Sequence, residues 1–355
     1  MAGTGAGTGS DTGGIRLSSR PAVLVPAILL ATFWCGPVRA ADGPDRADTD
    51  VVPERCIAHM IEVPLLTGDG SPAVPVKING TEGAAFLGTT QESLGVFERD
   101  GMHYPVGKTL PVQTVTGEGR SYTTVVDDLV IGRGTAHHIN GVMLGVFGDR
   151  KIAGRPVLGV LGYDILGNYN VLLDFPNQTL TLFKESGAPG CPPLSRLVGA
   201  RSYAAALIPD ARGMDVMVQV AINGVPIGME VEPGSNASII RTADAADAGV
   251  GTSDLANDPR SRTDAGIAIV GHRHRFDRFV LGTFHGTALQ ADVAKAGYNM
   301  LGLDFFRNRT VLFAFPSRML YFSDPQLPTG GTEMAHSGLS PAQSRMADAT
   351  VDEQP

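Results

Sequence analysis

The residues with the clearest chemical potential lie at two short corners, each directly after an alternating, mostly apolar segment. The segment TEGAAFL ends at Gly-Thr-Thr, residues 88–90 (corner 1), and VPIGMEV ends at Glu-Pro-Gly, residues 232–234 (corner 2). Hydrolysis by carboxyl groups needs two of them, because one acts as the base while the other acts as the acid. Glu232 supplies one carboxylate, whereas Gly88 carries no proton. The two corners together therefore offer a single carboxylate.

Both corners belong to a sequence repeat that covers most of the chain. VPVKINGTEGAAFL at 74–87 matches VQVAINGVPIGMEV at 218–231, an offset of 144 residues. VLGVLGYDILGNYNVLLDFPNQTLTLF at 157–183 matches YNMLGLDFFRNRTVLFAFPSRMLYF at 298–322, an offset of 140. Two blocks in the same order and at nearly the same spacing indicate a tandem duplication.

Each copy is typical of β structure. Asn79-Gly80 and Asn223-Gly224 lie between alternating apolar runs, which is the strongest short signal for a hairpin. Short alternating runs at 125–131 and 276–281 also predict strands. The content of 45 Gly and 24 Pro favours many turns over long helices.

One short helix per copy is predicted after Asp164 and Asp304, the only aspartates that the repeat keeps in both copies. Aspartate is a good N-cap, because its carboxylate accepts hydrogen bonds from the free N–H groups of the first turn. This capping role explains both copies and is preferred to a catalytic role. Glu230 would face the same side of a strand as Glu232, but the repeat gives it no acidic counterpart.

This pattern of an Asn-Gly hairpin, an apolar run, a corner, a Leu-Gly-x-Asp block and a Phe-Pro hairpin resembles the retropepsin-like and pepsin-like aspartic proteases. The resemblance covers about residues 60–323 and is to the exported bacterial form, with two lobes in one chain. It implies a mostly β, two-lobed fold of closed, barrel-like lobes with one short helix each. In that family each corner is Asp-Thr-Gly, and the two aspartates share a proton and activate a water against a peptide carbonyl.

Neither corner keeps the family motif. Glycine stands at the first aspartate position and glutamate, one methylene longer, at the second, so Glu232 is the one candidate catalytic residue. The bracing threonine survives only in corner 1, and the turn glycine survives only in corner 2. The chain is therefore predicted to be catalytically inactive and to bind a peptide or protein partner in the cleft between the lobes. The predicted binding residues are Gly88, Thr89, Thr90, Pro233, Gly234 and Ser235.

Two alternatives remain open at this point. The first is an active endopeptidase that uses Glu232 with an unidentified helper. The second is a structural module of the cell envelope in which the cleft is filled. In either case, the segments 115–122 and 263–270 correspond to the flap hairpins of the family, which close over a ligand.

The amino terminus is predicted to be an export signal. Arg16 and Arg20 precede an apolar run at 22–34, and Val-Arg-Ala at 38–40 fits the small-x-small rule for cleavage after Ala40. The alternative is an uncleaved anchor, but the run is short for a membrane span. A periplasmic or secreted protein, with no span after cleavage, is expected. The predicted organisation is a signal peptide at 1–40, a disordered segment at 41–58, a first lobe at 59–190, a linker at 191–199, a second lobe at 200–323 and a disordered tail at 324–355.

Signal cleavage would remove Cys35 and leave Cys56 and Cys191, a pair that predicts a disulfide in an exported protein. The net charge of -8 argues against a nucleic-acid partner. No metal site is predicted, because His272 and His274 alternate with arginines that would repel a cation. No phosphate loop or dinucleotide motif is present, so no cofactor is expected, and the protein is predicted to be a monomer.

Overall fold

The computed structural model describes residues 52–68, 70–114, 117–265 and 267–326, all within one compact unit of the chain. The predicted signal peptide and nearly all of the predicted tail lie outside these residues. The strands are β1 (Ile57–Pro64), β2 (Ala73–Ile78), β3 (Thr81–Leu87), β4 (Leu94–Glu98), β5 (Thr109–Thr114), β6 (Gly117–Ile131), β7 (Gly134–Val146), β8 (Lys151–Ile152), β9 (Arg155–Leu161), β10 (Asn170–Asp174), β11 (Thr179–Glu185), β12 (Ser202–Ala206), β13 (Ile208–Pro209), β14 (Asp215–Ile222), β15 (Val225–Val231), β16 (Ile239–Arg241), β17 (Arg260–Ala265), β18 (Ile267–Phe276), β19 (Phe279–Leu281), β20 (Phe284–Gly286), β21 (Leu289–Ala294), β22 (Met300–Leu301), β23 (Thr310–Ala314) and β24 (Met319–Ser323).

The described strands form three sheets. One has the order β2-β3-β9-β4-β7-β6-β5, with β8 beside β9, and takes every strand from the first copy of the repeat. A second has the order β17-β18-β21-β16-β22-β15-β14-β19-β20, with β13 beside β14, and takes every strand from the second copy. The prediction of a mostly β chain built from two copies is confirmed.

The two Asn-Gly pairs form the predicted hairpin turns. Asn79 and Gly80 connect β2 to β3 with φ of 45° and 82°, and Asn223 and Gly224 connect β14 to β15 with φ of 52° and 87°. Two-residue turns of this kind need positive φ at both positions, which asparagine and glycine tolerate best. The same type of hairpin turn therefore occurs at the equivalent place in both copies.

The third sheet joins the copies and has the order β1-β11-β10-β23-β24-β12. At its centre β10 pairs antiparallel with β23, and Leu172 lies opposite Leu312, its own counterpart in the repeat. Asn170 pairs with Ala314, and Asp174 pairs with Thr310, so the register is the same when the copies are exchanged. This is the pairing that an approximate two-fold axis produces.

The predicted disulfide is present. Cys56 and Cys191 are bonded with their Cα atoms 5.8 Å apart. Residues 52–58 were assigned to a disordered segment, and this was wrong, because they include a 3-10 helix, η1 (Glu54–Cys56), and the start of β1. The disulfide and the pairing of β1 with β11 hold this part of the chain against the third sheet. A second 3-10 helix, η2 (Leu194–Val198), follows Cys191 and covers that sheet.

Short helices occur where they were predicted, at α1 (Tyr163–Leu166) and α4 (Leu303–Phe306). The second copy also contains α2 (Thr242–Asp247) and α3 (Thr252–Leu255), which were not predicted. A third 3-10 helix, η3 (Phe315–Ser317), lies between β23 and β24.

The capping role given to Asp164 and Asp304 was wrong. The N-caps are Gly162 and Gly302, and both aspartates lie inside the first turn. Their carboxylates accept bonds from the segments that follow the two corners, and Asp304 also accepts the Phe305 N–H of its own turn at 3.0 Å. Asp164 accepts a hydrogen bond from the Leu94 N–H at 3.0 Å, and Asp304 accepts one from the Ser238 N–H at 3.0 Å. Leu94 and Ser238 are repeat counterparts, so the same brace occurs twice.

Candidate functional site

The two corners occupy equivalent places in the fold. Leu87 pairs with Leu161 in the parallel strands β3 and β9, and Val231 pairs with Leu301 in the parallel strands β15 and β22. Gly88 then donates its N–H to the Leu161 carbonyl at 3.0 Å. In the same way, Glu232 donates its N–H to the Leu301 carbonyl at 3.0 Å. Gly88 and Glu232 are therefore structural counterparts.

The corners also contact each other directly. The Thr89 hydroxyl, which is 1% exposed, donates to the Val231 carbonyl at the end of the opposite strand. On the other side, the Cα of Gly234 lies so close to the Leu87 carbonyl that an added Cβ would be 2.6 Å from that oxygen. Each corner is thus packed against the backbone that leads into the other one.

Glu232 spans the two corners through its carboxylate. Its Oε2 accepts hydrogen bonds from the Thr90 N–H at 3.0 Å and from the Thr90 hydroxyl at 2.8 Å. Its Oε1 accepts from the Gly234 N–H at 2.7 Å. Both carboxylate oxygens are therefore engaged by the chain itself, and the side chain ties the corners together.

The carboxyl of Glu232 is buried, with 8% of the residue exposed. This burial raises its pKa above the ordinary value, while the hydrogen bonds from Thr90 and Gly234 act in the opposite direction. A carboxylate in a cleft open to water would keep its ordinary pKa, whereas here corner 1 folds over the carboxylate and excludes solvent from it.

Comparison with known protein families finds a match for part of the chain. Residues 218–305 match the family model described as aspartyl protease. The second copy is therefore similar to this family over these residues. This segment contains corner 2 but not corner 1. No curated protein matches the chain. Among solved structures, the aspartic proteinase from Irpex lacteus is similar at 10% sequence identity with a TM-score of 0.46, covering 77% of this chain and 99% of that chain.

Packing closes the position where the aspartyl-protease-like pattern would place its first acid. Gly88 is buried, and an added Cβ would lie 2.6 Å from Cγ1 of Val160 and 3.0 Å from Cβ of Gln91. Real Cβ atoms do not approach other heavy atoms this closely, so a side chain at 88 would displace Val160. The packing around Gly88 thus fits a residue without a side chain.

The remaining predicted binding residues have structural partners. Pro233 is buried, and the buried hydroxyl of Ser235 donates to the Ala237 carbonyl at 3.0 Å within the same turn. Sequence reasoning missed Ser71, whose hydroxyl donates to the Gly234 carbonyl at 2.5 Å. Nothing in the sequence marked Ser71, because its contact depends on how the two copies meet.

The two segments predicted as flaps form antiparallel hairpins. β5 pairs with β6 from Thr109 opposite Tyr122 onward, and β17 pairs with β18 from Arg260 opposite His272 onward. The tips, at 115–116 and 266, lie outside the described residues.

Among the residues that the structure describes, no group of three or more His, Cys, Asp or Glu could hold a metal. None of the described helices has the length and apolar character of a membrane span.

Glu230 is a second acidic side chain next to corner 2, and sequence reasoning gave it no role. It is 9% exposed, and burial raises its pKa from 4.5 to about 7. The negative charges of Asp210 and Glu232 raise the pKa further, while Arg212 opposes them. Its pKa is therefore perturbed both by burial and by charged neighbours beside corner 2.

Glu230→Gln is expected to change how stability depends on pH. A raised pKa in the folded state means that the native protein keeps this proton while the unfolded chain releases it between pH 4.5 and about 7. The contribution of Glu230 to stability is therefore fully present below pH 4.5 and is lost as the pH rises from 4.5 to about 7. We expect the wild type to lose about 3 kcal/mol over this range through Glu230, and the variant to lose that much less.

Urea unfolding of both proteins at pH 4.5 and pH 7.5 measures this effect. Glu82→Gln, a change at an exposed side chain, is the control and should leave the pH profile of the wild type unchanged. Parallel profiles for wild type and Glu230→Gln would contradict the assignment.

Proposed function

We propose that this chain is a catalytically inactive aspartic-protease-like protein that binds an extended peptide or a segment of a partner protein beside its two corners. The observation that carries the proposal is the state of the site. One carboxylate, Glu232, has both oxygens engaged by Thr90 and Gly234, and its counterpart is the tightly enclosed Gly88.

Acid–base catalysis on a peptide requires a base that can accept a proton from water and an acid that can donate one. The Glu232 oxygens are hydrogen-bonded to donors of the chain, which leaves little acceptor capacity for a water molecule. Gly88 supplies no titratable group. The arrangement suits a fixed contact between the two corners better than a proton-transfer site.

Binding is supported by the hairpins of β5–β6 and β17–β18, one from each copy. In a duplicated fold of this kind the groove between copies is the natural place for an extended chain. An exported location is part of the proposal, because the Cys56–Cys191 disulfide is of the kind that persists in oxidising compartments. An amino terminus at Ala41 in the exported protein would support cleavage of the signal.

The decisive experiment incubates the purified protein with a mixture of denatured protein substrates from pH 3 to pH 8. We expect no cleavage, with or without pepstatin. In parallel, a pool of fluorescent peptides should bind in fluorescence polarisation. Cleavage that disappears in Glu232→Gln would overturn the proposal in favour of an active endopeptidase. A protein that neither cleaves nor binds would favour the structural cell-envelope module.

Gly88→Asp is expected to destabilise the protein without producing activity. The new side chain would place its Cβ 2.6 Å from Val160, and overpacking of this kind costs about 2 kcal/mol of unfolding free energy. Urea unfolding checks the stability, and a protease assay checks the activity. Even Gly88→Asp with Glu232→Asp should give at most weak cleavage, since Pro233 and Thr90 still depart from the family motif.

The control is Gly68→Asp. Gly68 is exposed, and no atom lies within 4 Å of its added Cβ, so this variant should unfold as the wild type does. If Gly88→Asp proved as stable as the wild type, the close packing described around Gly88 would be contradicted.

A further inference from the structure

Glu230 occupies a position that is apolar in the other copy. Its repeat counterpart is Phe86, which packs with Phe97 and Phe147 in a small aromatic cluster. The fold therefore accepts a hydrophobic side chain at this point of the strand. Replacing a buried charge with a well-packed apolar residue is often neutral or stabilising. The charge of Glu230 is thus better explained by recognition than by the needs of the fold.

The nearby guanidinium is already committed to another carboxylate. Nε and Nη2 of Arg212 each lie 2.7 Å from Oδ2 of Asp210. The other oxygen of Asp210 accepts the N–H groups of Arg212 at 2.8 Å and Met214 at 3.0 Å. Asp210 and Arg212 therefore form a satisfied pair that organises its own turn.

Glu230 is left with a weaker contact. Its Oε2 lies 3.5 Å from Nη2 of Arg212, and within the described part of the chain that buried oxygen has no hydrogen-bond partner. Native proteins leave few buried oxygens in this state. A carboxylate oxygen that is nine-tenths buried and without a donor points to a donor supplied from outside.

The groups facing Glu230 leave an excess of negative charge. Asp210 and Glu232 are acidic, Arg212 is basic, and the Tyr298 hydroxyl is neutral because burial and the two glutamates raise its pKa. Three carboxyls thus stand against one guanidinium. Arg212 is about one-third exposed, so the cluster is reached from solvent.

We propose that Glu230 recognises a positively charged group, the ammonium of lysine or the guanidinium of arginine, on a chain bound beside corner 2. This inference rests on the proposed binding function and names the chemistry of its ligand. The cation donates a charge-assisted hydrogen bond to Oε2 of Glu230, which has only the 3.5 Å contact with Arg212, and such a bond is stronger than one between neutral groups. In the other copy the equivalent residue is Phe86, which lies in an apolar cluster, so no preference for a cation is expected there.

The interaction depends on pH in a defined direction. A cation binds the ionised form of Glu230, so the affinity rises as the pH increases through about 7. A buried hydrogen bond to a charged group is worth about tenfold in affinity. The preference for a basic chain should therefore be large at pH 8 and small at pH 6.

The test measures fluorescence polarisation with two pools of eight-residue peptides, both amidated and acetylated, with randomised flanks. The central residue is lysine in one pool and the uncharged norleucine in the other. We expect the lysine pool to bind about tenfold more tightly at pH 8. Glu230→Gln should remove this difference and its pH dependence. Glu82→Gln, at an exposed acid of the other copy, should change neither.

A third pool, of norleucine peptides with a free amino terminus, separates the terminal amine from a basic side chain. Preference for this pool over the lysine pool would overturn the assignment to a side chain. Equal binding of lysine and norleucine pools, unchanged in Glu230→Gln, would overturn the inference and leave the proposed function standing. Failure of every pool to bind would overturn both.

Discussion

Replacing Cys56 and Cys191 together by serine is expected to lower the free energy of unfolding by about 4 kcal/mol. The bond links residues 135 positions apart, so it removes many conformations from the unfolded chain. It also fixes the start of β1 and the segment leading into η2, which covers apolar side chains of the third sheet, including Phe183 and Leu312. Both effects are lost in the variant.

Guanidinium unfolding of wild type and variant at the same pH measures this loss. Dithiothreitol should lower the midpoint of the wild type to that of the variant and should leave the variant itself unchanged. Equal midpoints for oxidised and reduced wild type would show that the bond does not contribute to stability.

Glu232→Ala is expected to lower the free energy of unfolding by about 3 kcal/mol. The substitution leaves three partly buried donors without their acceptor, namely the N–H and hydroxyl of Thr90 and the N–H of Gly234. The cost is that of burying these donors unpaired, in addition to the cavity left by the side chain. A residue acting only in catalysis would show no such loss.

The matched control for this substitution is Glu92→Ala. Glu92 follows corner 1 in sequence but is exposed, so its removal should change the stability by less than about 0.5 kcal/mol. Glu232→Gln should also be destabilised, because the NH2 group of its amide is a donor and would face the donor groups of Thr90 or Gly234. If Glu232→Ala unfolded at the same urea concentration as Glu92→Ala, the bracing role of Glu232 would be excluded.

The sequence predicted those features that depend on local pattern or on repetition. The Asn-Gly turns follow from backbone preference at single residues, and the equivalence of Gly88 and Glu232 follows from the offset of 144 residues. The disulfide was predictable because the expected loss of Cys35 with a signal peptide leaves Cys56 and Cys191 as one possible pair.

The environment of the candidate site was not predictable in the same way. The burial of Glu232 depends on Thr90, which is 142 residues away in sequence. Oε2 of Glu230 lacks a hydrogen bond because the Arg212 guanidinium is bonded to Asp210, and the spacing of these residues in the sequence does not predict that pairing. Asp164 was misjudged for a similar reason. An aspartate in the first turn suggests a local cap, whereas its partner Leu94 comes from a distant segment.

The register of β10 and β23 has a consequence for how this protein could have arisen. Because Leu172 faces its own counterpart Leu312, two identical single-copy chains could form the same central pairing as a homodimer. In such a dimer any substitution at a corner would appear on both sides of the axis. Joining the copies in one gene lifts that restriction, so Gly88 and Glu232 could diverge independently. Descent from a symmetric homodimer would then account for two different corners in a chain whose copies are related by an approximate two-fold axis.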